Sequence, residues 1–338
     1  MILTRFLLLL LVFSLISALG LAQSDVENEL QKLLDQRDQI GSEMKAASEA
    51  GDQAKYDELH LRWDDLSKQI NVLQGQVSQD TEKRANAVKY FNEGNKFFQQ
   101  GKLKNAIDSY KKSLEYDSQN PKVHYNLGAA QYRAKDYPGA LTSFEMAIKL
   151  NPGYAEALYM KGNALNKMDK TNDALKAFQE AISIDPMNAK AYYAMGTIYL
   201  KRKKNADAVE TFRRATDLDP QYHLAFTLLT RALTNLGKFA EAIEAADAAI
   251  AVKANVWEPY YYKALAANKA GKYQLAIDAG LECLKYKAKY AGAYFEIGLA
   301  YEAMGYKAMA LEYFRKCLND RQWRPNAEYH IKLLEEEQ

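Results

Sequence analysis

The chain has 338 residues, 48% of them hydrophobic and 26% charged, which is typical of a soluble protein. Its net charge of +2 argues against a general nucleic-acid binder, which needs a strongly basic face. The charge is uneven: residues 25–80 carry 13 acidic and 6 basic side chains, whereas the chain after residue 80 carries 30 acidic and 38 basic ones. We therefore expect an acidic module followed by a basic one.

Residues 1–22 have the pattern of a signal peptide. The apolar stretch Phe6–Leu19 is followed by small residues ending at Ala22, which places a cleavage site before Gln23. This pattern predicts an exported protein, periplasmic or extracellular in a bacterium. The alternative is an uncleaved segment that anchors the chain, because the apolar stretch lies at the short end of the spanning range. Membrane contact is expected only through this segment.

Residues 25–78 are predicted to form an α-helical hairpin or coiled coil. Apolar residues at helical spacing form a first seam of Val26, Leu30, Leu33, Ile40, Met44 and Ala47. They form a second seam of Tyr56, Leu59, Trp63, Leu66, Ile70, Leu73 and Val77. Between them Gly51 is a natural helix stop and Asp52 a natural N-cap. Two hairpins could pair into a four-helix bundle, and the alternative is a hairpin that packs on the rest of its own chain.

Residues 87–324 repeat every 34 residues without an insertion. The seven repeats start at Ala87, Pro121, Ala155, Ala189, His223, Trp257 and Ala291. Position 8 is glycine in five repeats, position 20 is alanine in all seven, and position 24 is aromatic in five. Small residues at positions 8 and 20 allow two helices to approach closely, and the aromatic residue fills the space beside them.

This pattern resembles the tetratricopeptide repeat family. The resemblance implies an all-α fold, a right-handed superhelical solenoid of paired helices that here follows the helical hairpin. Stacking is needed because one repeat cannot bury its apolar face alone. Residues 325–338 are predicted to form a capping helix, with Tyr329 and Leu333 covering the end of the seventh repeat.

Repeats 5 and 6 depart from the pattern. Thr230 and Ala264 replace the glycine at position 8, and Ala246 and Gly280 replace the aromatic residue at position 24. Loss of a buried aromatic side chain leaves volume that must be filled or collapsed. Trp257 is a candidate to repack this junction.

Residues that could support catalysis or metal binding are not grouped in this sequence. The four histidines have no partner at metal-ligand spacing, and no nucleophile or phosphate-loop motif occurs, so we expect neither an enzyme nor a cofactor or metal. Cys283 and Cys317 lie one repeat apart. Helices of neighbouring repeats lie roughly 9–10 Å apart, whereas a disulfide needs Cα atoms within about 7 Å. We therefore predict two free, buried thiols.

The resemblance places the partner-binding groove on the concave face, formed by positions 2, 5, 9, 12 and 13 of the first helices. The candidate groove residues are Phe91, Asn95, Tyr125, Tyr132, Tyr159, Asn163, Tyr193, Arg231, Tyr261 and Phe295. Aromatic side chains offer large, rigid contacts to a peptide or helix. Chaperone-adaptor members of the family hold an acidic C-terminus with a carboxylate clamp, but Phe91, Glu156 and Met160 occupy clamp positions here.

These features together predict a non-enzymatic, extracytoplasmic scaffold that binds protein or peptide partners in its groove, with a role in cell-envelope assembly. The order of export signal, helical module and repeats is similar to the periplasmic coordinator of the Tol–Pal system, although that family has fewer repeats and a flexible linker. The alternative is a protein that binds peptidoglycan or another glycan through its tyrosines. Self-association through the hairpin is a further expectation.

Overall fold

The computed structural model describes residues 25–336, so the predicted export signal lies outside the described residues. Sixteen α-helices account for most of this range. The first compact unit, whose described part is residues 25–119, holds α1 (Asp25–Glu49), α2 (Gln53–Gln99) and α3 (Leu103–Tyr116). The second unit, residues 120–338, holds α4 (Pro121–Arg133), α5 (Tyr137–Leu150), α6 (Ala155–Lys167), α7 (Thr171–Ile184), α8 (Ala189–Lys201), α9 (Asn205–Leu218), α10 (His223–Asn235), α11 (Phe239–Val252), α12 (Trp257–Lys269), α13 (Tyr273–Tyr286), α14 (Ala291–Ala303), α15 (Lys307–Arg315) and α16 (Arg324–Glu336). The predicted all-α solenoid of paired helices is confirmed.

The first unit begins with the hairpin of α1 and α2. The chain reverses at Gly51, which has a φ of +71°, and the Asp52 side chain then caps α2 by accepting a hydrogen bond from the Lys55 backbone N–H at 3.1 Å. The arms bury apolar side chains against each other, among them Leu30 and Ile70. Glu27, at the start of α1, is also buried and pairs with Arg84 of α2 at 3.8 Å.

Helix α2 crosses the predicted boundary between hairpin and repeats without a break. It runs for 47 residues, so the second arm and the first helix of repeat 1 are one helix. Residues 79–86 contain neither glycine nor proline, and nothing in them stops a helix. The sequence analysis placed the end of the hairpin at residue 78 and the start of the repeats at residue 87, whereas one continuous helix spans both positions.

The contact between positions 8 and 24 holds the two helices of a regular repeat together. A Cβ atom on the position-8 glycine would lie only 2.6–2.8 Å from the ring at position 24. The five such pairs are Gly94–Tyr110, Gly128–Phe144, Gly162–Phe178, Gly196–Phe212 and Gly298–Phe314. These five rings are at most 1% exposed, so the ring fills the space that the missing side chain leaves.

In repeats 5 and 6 the larger residue of this contact stands at position 8 and the smaller one at position 24. In repeat 5 the larger Thr230 occupies position 8 and the small Ala246 occupies position 24, and both are fully buried. In repeat 6 a Cβ atom on Gly280 would lie 2.5 Å from Ile297 of repeat 7, so a side chain of the next repeat fills this space. Ile297 therefore occupies the space beside Gly280, and Trp257 packs against Tyr261 and Tyr290 of its own repeat.

The C-terminal cap uses a different face from the predicted one. Helix α16 buries Ala327 and Leu334, while Tyr329 is 64% exposed and Leu333 is 39% exposed. His330 stacks on Phe314 with ring centroids 5.0 Å apart. The prediction that Tyr329 and Leu333 cover the last repeat is therefore wrong: the actual contact face is one residue further along the helix at each position.

Candidate partner-binding surface

The aromatic residues at position 5 pack between the two helices of their own repeat. Each ring lies against the position-24 ring, with centroids 5.5–6.1 Å apart. The pairs are Phe91–Tyr110, Tyr125–Phe144, Tyr159–Phe178, Tyr193–Phe212 and Phe295–Phe314. Phe91 and the three tyrosines are half-buried, so each supports the core and also contributes to the surface.

A second set of tyrosines contacts the tyrosines at position 5, and the sequence pattern did not reveal it. Position 34 is tyrosine in repeats 2, 4 and 6, and each ring lies 4.9–5.2 Å from the position-5 tyrosine of the same repeat. The three pairs are Tyr125–Tyr154, Tyr193–Tyr222 and Tyr261–Tyr290. The signal was present as an alternation along the repeats, but position 34 lies in the connection between repeats rather than on the helix that lines the groove.

In repeats 2–4 these rings form one group, which we call the tyrosine cluster. Its members are Tyr125, Tyr132, Tyr154, Tyr159, Tyr193 and Tyr222, all partly exposed. Burial raises the pKa of Tyr125, and the nearby Glu156 and Tyr159 raise it further. Burial first, then Tyr193, Tyr159 and Asp219, raise the pKa of Tyr222. The phenols of Tyr125 and Tyr222 therefore stay neutral near pH 7 and can donate and accept hydrogen bonds.

The polar residues predicted for the groove have different environments. Asn95 lies in the first unit, where its Oδ1 accepts a hydrogen bond from the Tyr110 hydroxyl at 2.8 Å. Asn163 contacts Met160 with its side-chain nitrogen 3.8 Å from Sδ. Arg231 is exposed on α10. Asn95 therefore accepts the hydrogen bond of Tyr110, which is the one position-24 ring with a hydroxyl group. This contact is part of the packing between the two helices of repeat 1.

Tyr261 and Phe295 do not belong to the tyrosine cluster. Phe295 is only 7% exposed and packs against Trp323 with centroids 5.1 Å apart, so it belongs to the core of repeat 7. Burial, Glu296 and Tyr290 raise the pKa of Tyr261, whose ring centroid lies 5.2 Å from that of Tyr290. Of the ten predicted groove residues, four tyrosines therefore lie in the tyrosine cluster, whereas Tyr261 lies in a separate aromatic group with Trp257 and Tyr290.

A buried carboxyl group lies beside Tyr261. Glu296 is 3% exposed, and the Asn268 side-chain N–H donates to both its carboxylate Oε2 and its backbone oxygen at 2.8 Å. Burial raises the pKa of Glu296 to about 7, although Asn268 and Lys269 act to lower it. Sequence analysis did not single out this residue.

The two cysteines are free and buried, as predicted. The Cys317 thiol donates to the Ala291 carbonyl at 3.3 Å, as the Ser113 hydroxyl does to the Ala87 carbonyl at 2.7 Å in repeat 1. Position 27 therefore bonds to position 1 in both repeats. Burial raises the pKa of each thiol to about 12.

Within residues 25–336, no three or more His, Cys, Asp or Glu side chains are grouped so that they could hold a metal ion. No helix in that range combines the length and apolar character needed to cross a membrane.

Family models match most of the repeat region. Models described as TPR repeat or tetratricopeptide repeat match residues 94–135 and 162–202, 121–154, 143–176, 189–222, 228–292 and 291–319. Together they cover 94–222 and 228–319, which is more than half of the chain. Three matches begin at residues 121, 189 and 291, the starts of repeats 2, 4 and 7. No curated protein matches the chain significantly.

Solved structures of similar fold come from several proteins. The C-terminal part of a TPR repeat-containing protein from Cytophaga hutchinsonii is 16% identical, with a TM-score of 0.58, over 69% of this chain and 97% of that one. YrrB, described as a TPR protein with an unusual peptide-binding site, is 21% identical, with a TM-score of 0.50, over 55% of this chain and 97% of that one.

A shorter match has higher sequence identity. The first TPR domain of Spaghetti, solved with the HSP90 peptide SRMEEVD, is 30% identical over 35% of this chain and 94% of that one, with a TM-score of 0.34. From the family models and the repeated contact between positions 8 and 24, we conclude that the chain belongs to the tetratricopeptide repeat family.

Proposed function

We propose that the protein is a non-enzymatic scaffold that binds a protein or peptide partner on the tyrosine cluster of repeats 2–4. The observation that carries this proposal is the cluster itself, six partly exposed phenols held in place by ring contacts. The family supports it, since the Spaghetti domain was solved with a bound peptide.

The packing of the cluster suits recognition of a peptide. Tyr125, Tyr159 and Tyr193 lean on buried phenylalanine rings, so little side-chain freedom remains to be lost on binding. Their hydroxyls can bond the backbone of an extended chain or the polar groups of a helix. Rigid aromatic side chains of this kind commonly dominate the energy of protein interfaces.

Binding of a glycan is the less favoured alternative. Stacking on a sugar needs the open face of an aromatic ring. Tyr125 and Tyr193 each lie against two other rings, which leaves less of their faces free. A peptide, which can use ring edges and hydroxyls, suits this arrangement better.

The test should remove the hydroxyls and keep the rings. We expect the triple variant Tyr125→Phe/Tyr159→Phe/Tyr193→Phe to fold normally and to capture its partners about tenfold or more weakly, since each lost hydrogen bond is worth about 0.5–1.5 kcal/mol. The measurement is capture from an envelope extract by the full chain, quantified by mass spectrometry. The matched control is Tyr199→Phe/Tyr286→Phe/Tyr306→Phe, which lie outside the cluster. Equal capture by both triple variants would remove the proposal.

Export and self-association are further parts of the proposal. Residues 1–22 support export by their sequence pattern. Leu61 and Val72, 71% and 63% exposed, lie on one side of α2 and support pairing of hairpins. Intact mass and sedimentation of the protein isolated from an extracytoplasmic fraction check both. We expect a chain that begins at Gln23 and a mass above that of a monomer, and a cytoplasmic, unprocessed monomer would contradict both expectations.

A further inference from the structure

We propose that a basic pocket between α8 and α10, distinct from the tyrosine cluster, binds the carboxylates of an acidic segment in the partner protein. This inference rests on the proposed function, because it assigns a chemistry to part of the same partner. The pocket lies between repeats 4 and 5, and the proposal names aspartate- or glutamate-rich peptide as its ligand.

The pocket is an open depression of about 660 Å³ and carries three positive charges. Lys201 and Lys203 lie on its repeat-4 side and Arg231 on its repeat-5 side. None of the side chains that line it is acidic. An anionic ligand would therefore meet cations from two repeats, which favours carboxylates over neutral groups.

Amide and apolar groups complete the pocket. The Asn235 side-chain N–H donates to the Asn205 Oδ1 at 3.2 Å, which links the two repeats across the pocket wall. Leu200 and Leu228 add apolar surface that suits the methylene groups of a glutamate side chain. The combination is that expected of a site for a peptide rather than for a free ion.

The pocket residues are largely free of competing acids. Lys201 pairs with Asp169 at 3.5 Å, and both side chains are more than 70% exposed. Such a pair is weak and open to exchange. A ligand carboxylate can take the place of Asp169 at small cost.

Lys203 is held in a backbone conformation that disfavours it. Its φ is +58°, at position 15, where repeats 1, 5, 6 and 7 have glycine with φ between +72° and +78°. A lysine is strained at this φ whereas glycine is not. Replacing Lys203 by glycine therefore removes a charge from the pocket without harming the fold. Lys135, with φ of +65° at position 15 of repeat 2, is the matched residue outside the pocket.

The experiment uses the full chain and two short fluorescein-labelled peptides, one of alternating glutamate and serine and one with glutamine in place of glutamate. Fluorescence anisotropy should show the glutamate peptide binding about tenfold more tightly at low ionic strength, with the advantage falling as salt is added. Lys203→Gly should weaken binding about three- to fivefold and unfold at an equal or higher temperature. Arg231→Glu should weaken binding by about tenfold or more.

The controls separate this inference from the proposed function. Lys135→Gly removes the same charge at the same repeat position and should bind like the wild type. An equal loss of affinity for the glutamate peptide in Lys135→Gly and Lys203→Gly would overturn the pocket proposal, because net charge alone would then explain the effect. Equal binding of the two peptides would also overturn it. If binding of the glutamate peptide is lost in the tyrosine-to-phenylalanine triple variant but unchanged in Lys203→Gly, the tyrosine cluster binds the peptide and the pocket proposal is overturned.

Discussion

Replacing Gly162 by threonine is expected to destabilise the second compact unit by about 1–3 kcal/mol or more, because it overfills a packed core. A Cβ atom at this position would lie 2.6 Å from the Phe178 ring, which is fully buried. Phe178→Ala should be costlier, at about 3–5 kcal/mol, because it leaves a cavity. Both figures are large relative to the stability of an ordinary domain.

The double variant Gly162→Thr/Phe178→Ala is the sharper test. It copies the Thr230 and Ala246 arrangement of repeat 5, in which the larger residue sits at position 8. We expect it to lose less stability than the sum of the single variants, by about 1–3 kcal/mol, because the threonine occupies part of the vacated space. Urea unfolding of the full chain, followed by far-UV circular dichroism, provides the comparison.

Gly153→Thr serves as the control for adding a threonine. Gly153 is exposed in the connection before α6, and its nearest neighbour to an added Cβ would be the Asn151 Oδ1 at 3.6 Å. Its effect should stay within about 0.5 kcal/mol. Strict additivity of the Gly162 and Phe178 effects would show that repeat 5 is not packed by this exchange of size.

The contact between positions 8 and 24 shows why the repeat could be read from sequence. Glycine at position 8 and an aromatic residue at position 24 recur at fixed spacing because each makes the other necessary. The same reasoning identified the irregular repeats but not what fills them. Ile297 comes from the following repeat, and a pattern within one repeat does not reveal a contact between two.

The binding surface was predictable only in part. The position-5 tyrosines followed from the resemblance, but Tyr154 and Tyr222 join them through the connection between repeats, whose path depends on the stacking. The end of the chain shows the same limit. Its last helix is amphipathic, yet the rotation of the helix about its axis decides whether Leu333 or Leu334 is buried, and sequence spacing does not fix that rotation.

Glu296 is the residue whose environment was least visible in the sequence. Position 6 holds Asn126, Met160, Ala194 and Leu228 in repeats 2–5, so a glutamate there gives no sign of burial. The structure buries it and raises its pKa to about 7. In the unfolded chain the same carboxyl group ionises near pH 4.5.

This difference predicts that stability falls as pH rises from about 4.5 to 7. In that interval the folded protein keeps a proton on Glu296 that the unfolded chain has lost, so each pH unit lowers the free energy of unfolding by about 1.4 kcal/mol. The full decrease in the free energy of unfolding, on the order of 3 kcal/mol, is present above pH 7 and absent below pH 4.5. Glu296→Gln removes the ionisable group and keeps an acceptor for Asn268.

We therefore expect Glu296→Gln to be more stable than the wild type at pH 8 by up to about 3 kcal/mol, and nearly equal to it at pH 4.5. The measurement is the difference in unfolding free energy between the two proteins across this range, which cancels the titration of all other groups. Glu328→Gln, at an exposed position on α16, should give a flat difference. A Glu296→Gln difference that is also flat, or that grows as pH falls, would mean that Glu296 is ionised in the folded protein.

Because the carboxyl group lies between repeats 6 and 7, the stabilisation should appear as slower amide exchange in α12 and α14 at pH 8.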